Sequence, residues 1–252
     1  EIGGQCWLGD NLNAVTLNDG TPIANITDNT AWSTTTTPAY CYYQNNTAYQ
    51  TLYGNLYNFS TIETNKLCPT GWHVPSDCEW MYMEGIIGMS TNDQVLSGWG
   101  VRGDMAGTLL STTGWSDVSI ANSNSSGFSA LPGGYKQDAG SFFDAGLSAN
   151  WWTSTSFLQT QALHRSVQYN NNFIFRYNFN NQYGFSVRCL KDNSQPLVIG
   201  CTDASACNFL VNANQDDGSC LYVNATCDDG NANTMNDVID RSEERRVGKE
   251  CL

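Results

Sequence analysis

The chain has 252 residues, 24 of them Asp or Glu and 11 Lys or Arg, giving a formal net charge of −13 at pH 7. That balance excludes a nucleic-acid binder, which needs a basic footprint to displace counterions, and argues against docking on anionic lipid; it favours cations as ligands, calcium above all. Charged residues make up only 14% while 40% are hydrophobic and 12% aromatic, so a sizeable core can form and the surface must be built from Asn, Ser, Thr, Gln and Gly.

Ten cysteines in such a chain point to an oxidising compartment. There is no CxxC pair, and the two histidines, His73 and His164, leave little for a zinc or other transition-metal site. No apolar run approaches the roughly 20 residues that span a bilayer. Glu1 is expected either to follow a removed leader or to begin mid-gene.

Residues 1–60 read as strands and loops. Cys6 and Cys41 are both flanked by aromatic residues and are expected to pair. Thr34 to Thr37 reads as an exposed polar loop. The segment from Cys68 to Trp80 then reads as a strand entering a capped helix. Ser76 and Glu79 have capping-box spacing, in which each side chain satisfies a free backbone N–H of the first turn. Trp80, Met83 and Ile87 follow on one apolar face, predicting a helix over 79–88. A shorter helix is expected over 104–110, and Leu131 to Gly134 is a turn.

From Asn150 onward the pattern is β. Trp151-Trp152 opens one strand. Residues 162–169 form a second, with Leu163, Arg165, Val167 and Tyr169 on one face. Residues 173–179 form a third, with Phe173, Phe175, Tyr177 and Phe179 opposite Ile174, Arg176 and Asn178. In Gly184 to Cys189, alternating Phe185, Val187 and Cys189 predict a half-buried strand. If Cys68 and Cys189 bond, the bridge removes about 4–5 kcal/mol of chain freedom from the unfolded state. Helices early and strands late give an α+β domain over 1–192, with two short helices and a twisted, mainly antiparallel sheet. A linker, 193–199, leads to a small disulfide-rich module, 200–223, and to the start of a further repeat, 224–240.

That repeat holds the strongest candidate site. Asp229, Asn231, Asn233, Met235, Asp237 and Asp240 stand at positions 1, 3, 5, 7, 9 and 12 of a twelve-residue loop, the spacing that wraps oxygens around calcium, with Met235 offering its carbonyl. Thr234 replaces the usual Gly and Asp240 the usual bidentate Glu, so affinity is expected near 10⁻⁴–10⁻³ M, on the order of extracellular modules. The alternative is an Asn- and Asp-rich turn without an ion. Asn212, Asn214 and Asp216 form a partial second set. Asn-x-Ser/Thr sequons stand at Asn25, Asn45, Asn58, Asn124 and Asn224.

No motif places a nucleophile beside either histidine; GxSxG, HExxH and phosphate loops are absent. His73 is expected to be structural and the chain not to be an enzyme. Exposed aromatics offer stacking surface for sugars or hot-spot area for a protein, although burial in the core is the commoner fate.

Four segments, Cys68–Trp80, Gly127–Tyr135, Trp151–Thr155 and Gly184–Cys189, resemble the Fibrobacter succinogenes major paralogous domain. Gln5–Asn13 and Tyr53–Asn58 fit its N-terminal part, so the resemblance covers about 1–192. It implies a secreted, C-type-lectin-like domain of bacterial surfaces. The sugar-binding Glu-Pro-Asn, Gln-Pro-Asp and Trp-Asn-Asp triplets of calcium-dependent C-type lectins do not occur, so calcium-mediated sugar binding is not expected in this domain. The related formylglycine-generating fold uses a paired-cysteine copper site, but Cys68 and Cys189 are better explained as a bridge. Residues 200–220 resemble a short Cys-rich repeat of large secreted Bacteroidota proteins, and 229–240 resembles thrombospondin type 3 and dockerin loops. Residues 241–252 resemble translated sequencing-adapter sequence, seven of the ten residues 241–250 being charged. The expected function is a non-catalytic, cell-surface binding or adhesion module. It would recognise a glycan or an extracellular protein, itself included, through loops between Gly98 and Trp152. The alternative is a structural subunit of an extracellular filament or surface layer.

Overall fold

The computed structural model describes residues 1–98, 102–116 and 122–192, with Gly200, Cys201, Asp203, Ala206, Asp216, Gly218 and Cys220. The chain divides into two units, Glu1–Ser194 and Gln195–Leu252.

Three short helices interrupt the segment read as strands and loops. Strand β1 (Ala24–Asn25) is followed by helix α1 (Asn29–Thr34), strand β2 (Ala39–Cys41), helix α2 (Thr47–Tyr53), strand β3 (Leu56–Tyr57) and helix α3 (Phe59–Glu63). Each helix starts at an Asx cap. Asp28 accepts from the Ala31 N–H at 2.8 Å, Asn46 from Ala48 at 3.0 Å and Asn58 from Thr61 at 3.2 Å. Such caps satisfy N–H groups that a helix start leaves free. The helices hold six, seven and five residues, too few for a 3.6-residue period to stand out. Asn58 is fully buried and also donates to the Thr37 carbonyl, so this sequon works as a cap and is closed to a glycan.

Strand β4 (Trp72–His73) leads to helix α4 (Asp77–Ile86), which carries the full Ser76–Glu79 capping box and buries Trp80 and Met83. Helix α5 (Thr91–Val95), capped by Ser90, has no counterpart in the expected elements. The helix expected over 104–110 is only a 3-10 turn at Ala106–Thr108. Strands β5 (Gly133–Lys136), β6 (Phe142–Ala145), β7 (Ser148–Leu158), β8 (Gln161–Gln168), β9 (Phe175–Asn180) and β10 (Leu190–Lys191) complete the α+β domain.

Among the described residues the strands form four small sheets: β1-β2-β3, β4-β10, β5-β6 and β7-β8-β9. All their pairings are antiparallel except β1 with β2. Residues 184–189, expected as a half-buried strand, make only isolated bridges, Gly184 to Lys136, Phe185 to Tyr57 and Ser186 to Trp151. Both faces of this segment are buried, because Ser186 and Arg188 are as enclosed as Phe185 and Val187. The guanidinium of Arg188 lies 4.2 Å from the Phe128 ring centroid. Phe128 belongs to an aromatic cluster with Trp7, Trp80 and Trp151, whose packed ring pairs are 4.9–5.7 Å apart. Trp152 points the other way, onto Phe59 at 5.2 Å and Phe185 at 4.6 Å.

A disulfide joins Cys68 to Cys189, with Cα atoms 6.0 Å apart and 121 residues of sequence separation. A second, Cys201–Cys220, lies in the C-terminal unit. Cys6 and Cys41 do not pair; both are free thiols, as is exposed Cys78. Their aromatic neighbours mark two different parts of the core. Cys41 packs with Trp32, Ala39 and Leu56, whereas the carbonyl of Cys6 receives Lys191 N–H beside β10 and Trp7 packs on Trp80. Burial pushes the Cys41 thiol up to about 12, so it behaves as a small apolar side chain.

Candidate functional site

The register of β7 on β8 decides what each face carries. Ser148 pairs with Gln168, Asn150 with Ser166 and Trp152 with His164; the intervening pairs are Ala149 with Val167 and Trp151 with Arg165. Cross-strand partners share a face. One face therefore presents Ser148, Asn150, Trp152, His164, Ser166 and Gln168, and the other presents Ala149, Trp151, Arg165 and Val167.

The second face holds a buried ionic cluster. Arg165 reaches Glu84 at 2.6 Å and Asp77 at 2.7 Å, Arg176 reaches Asp77 at 2.7 Å, and Arg102 pairs with Glu84. Burial alone pushes the Asp77 carboxyl up, but hydrogen bonds and charge from Arg176 and Arg165 overcome it and hold the group below the usual carboxylate range. Burial lowers Arg102, and Glu84 opposes that shift. Both carboxylates are occupied by guanidinium groups, so the cluster pins α4 to β8 and β9 and offers no open position for a ligand.

The first face floors a cavity of about 230 Å³. Ser148, Asn150, His164 and Ser166 are buried in its floor, with Phe185. Tyr135, Phe179 and Tyr183 stand around it, and Gln137, Asp144 and Gln168 supply further polar groups. Gly134 (φ 63°) sets Tyr135 in place, because a Cβ there would meet the Phe143 carbonyl oxygen at 2.3 Å across the β5–β6 pair. The rings are contiguous: Tyr135 and Tyr183 stack at 6.2 Å, and Tyr183 lies 4.7 Å from Phe179 and 5.6 Å from Phe185. His164 stacks on Phe185 at 4.8 Å. Its Nδ1 lies 3.0 Å from the Tyr177 carbonyl, which can only accept, so Nδ1 carries the proton and Nε2 the lone pair. Burial pushes its pKa down to about 4, which keeps the ring neutral. The cavity is chemically suited to hold a ring with an apolar face and several hydroxyl or amino groups.

Sequence reasoning left the ligand-binding residues unassigned. Five of the eleven lining residues, Tyr135, Gln137, Asp144, Ser148 and Asn150, fall between Gly98 and Trp152, where loops are expected to recognise a ligand, but all except Gln137 stand on strands β5, β6 and β7; the other six come from β8, β9, Tyr183 just after β9 and Phe185. The available signal was the polar half of the β8 alternation, His164, Ser166 and Gln168. The calcium set, Asp229, Asn231, Asn233, Met235, Asp237 and Asp240, lies outside the described residues, as do Asn212 and Asn214. Among the described residues no group of three His, Cys, Asp or Glu is placed to hold a metal, and no helix is long and apolar enough to cross a membrane.

His73 is a clasp. Its Nε2 lies 2.8 Å from Glu79, and its Nδ1 lies 2.7 Å from Asp192 just beyond β10. The Glu79 bond, helped by Asp192 and opposed by burial, pushes its pKa up to about 9. The folded value exceeds the unfolded one, so the stabilisation is complete below about pH 6.5 and is lost as pH rises through about 9. The ring is half-exposed, so screening limits the effect to about 1 kcal/mol. The difference in unfolding free energy between the native chain and His73→Gln is expected to shrink by that amount from mildly acidic to alkaline pH. A pH-independent difference would show that the clasp is not charged.

A family model described as the Fibrobacter succinogenes major domain matches residues 1–191. No curated protein and no solved structure matches the chain. The match runs from the bridge pairing Ile2 with Gln5 to strand β10, through the Cys68–Cys189 bond and the strands that floor the cavity. The chain therefore belongs to the Fibrobacter succinogenes major domain family.

Proposed function

We propose that the chain is a non-catalytic binding module of the bacterial exterior, whose first unit is a C-type-lectin-like head that seats a glycan in the cavity over β7 and β8. One observation carries this reading: a cavity with a buried polar floor and a wall of contiguous aromatic rings. Sugars offer CH faces that stack on rings and hydroxyls that need fixed donors and acceptors, and both are supplied here. The two disulfides support an oxidising location outside the cytoplasm. In the same reading calcium held by Asp229–Asp240 stiffens the segment that follows the head.

The whole chain, made in an oxidising host, is expected to retain a defined subset of oligosaccharides on a glycan array. Tyr183→Ala should weaken that binding by about tenfold or more, the loss of one stacking ring. Phe157→Ala, at the exposed end of β7, should leave it unchanged. An array without any retained glycan would sink the head's assignment. A melting midpoint indifferent to millimolar calcium would remove the stiffened stalk.

A further inference from the structure

We propose that the occupant of this cavity carries a protonated amino group held by Asp144, so that the ligand is a glycan built from sugars with free amines. The inference rests on the glycan reading above and narrows it. Among the residues that line the cavity, Asp144 is the one that carries a charge: there is no Lys or Arg, and His164 is held neutral. Asp144 is an exposed residue of β6 at the edge of the lining, its carboxyl is pushed up only by the part of it that is buried, and among the described residues no cation or hydrogen-bond donor opposes that shift. A carboxylate left in this condition gains more from an incoming cation than one already paired, because its partial desolvation has not been offset. The Tyr135 hydroxyl lies close enough for the Asp144 charge to raise the Tyr135 pKa, after the larger effect of burial. An ammonium beside Asp144 therefore also lies near the Tyr135 hydroxyl, whose oxygen can accept a hydrogen bond from it. The floor agrees with this: the His164 Nε2 lone pair is an acceptor, suited to ligand O–H or N–H groups. A uronic or sialic acid would meet Asp144 with no cation to receive its own carboxylate.

The decisive comparison uses three β-1,4-linked trisaccharides that differ at C2, carrying an amine, an acetamide or a hydroxyl: the trimers of glucosamine, N-acetylglucosamine and glucose. Titration calorimetry of the whole chain at mildly acidic pH should find the glucosamine trimer bound about tenfold or more tighter than the other two. Asp144→Asn should bring the three within roughly threefold of one another without lowering the melting midpoint, because Asn tolerates the left-handed backbone (φ 63°) at this position. Binding of glycans without preference for the amine would overturn the inference and leave the glycan reading standing. A preference that survives Asp144→Asn would also overturn it, tracing the attraction to the chain's overall charge of −13. If no glycan binds in either assay, the glycan reading fails and the inference with it.

Discussion

Replacing Glu84 with alanine is expected to lower the unfolding free energy by about 3–5 kcal/mol. Glu84 is fully buried in α4 and its two oxygens hold two arginines, Arg102 and Arg165, both also fully buried. Removing the carboxylate leaves two guanidinium groups in a dry interior. Arg165 keeps Asp77, but Arg102 keeps only backbone carbonyls, those of Asp93, Gln94 and Ile174. The loss comes from stranding charge rather than from the worth of the pairs, since each ion cost several kcal/mol to desolvate in the first place. Glu84→Gln keeps the shape and should lose less. All eight tryptophans lie in Glu1–Ser194, so urea unfolding followed by tryptophan fluorescence reads this unit. A change under about 1 kcal/mol would mean that water reaches the cluster and relieves the unpaired charges.

The Cys68–Cys189 bond has an effect of similar size by a different route. Its 121-residue span removes about 4–5 kcal/mol of loop-closure freedom from the unfolded chain. The paired variant Cys68→Ala/Cys189→Ala is expected to lose that amount in the same assay. Reductant should reproduce the loss in the native chain and have no further effect on the variant's fluorescence transition, since Cys201–Cys220 lies in the other unit. Both sulfurs pack in the core beside Val74, Trp152 and Val187, and so stay buried when reduced. A variant as stable as the native chain would place the stabilisation in packing alone, with the unfolded chain already compact near these residues.

Much of the fold was legible wherever a pattern is closed within a few residues. Ser76 and Glu79 specify a helix start among themselves, and the box forms as spaced. The alternation through 162–169 marked β8 to within one residue, although both faces of the strand are buried. The short helices α1 to α3 escaped because their caps are as local as Ser76 but no two-turn apolar face follows them.

The cavity and the cysteine chemistry were settled by contacts between residues far apart in the chain. Aromatic flanks suggested a Cys6–Cys41 bond, yet Trp7 and Tyr40 belong to different clusters, and sequence neighbours carry no information about which cluster a ring joins. Likewise, period 2 placed His164 and Ser166 on one face of β8, but whether that face met water, core or a cavity depended on Tyr135 and Tyr183 arriving over it. By itself the sequence determined composition, the α4 start and the strand periods, the last two being properties of local spacing. Only the tertiary structure decided which polar face became a pocket and which carboxylates met arginines. Those outcomes depend on long-range pairing, where a one-residue change of register exchanges the two faces of a strand.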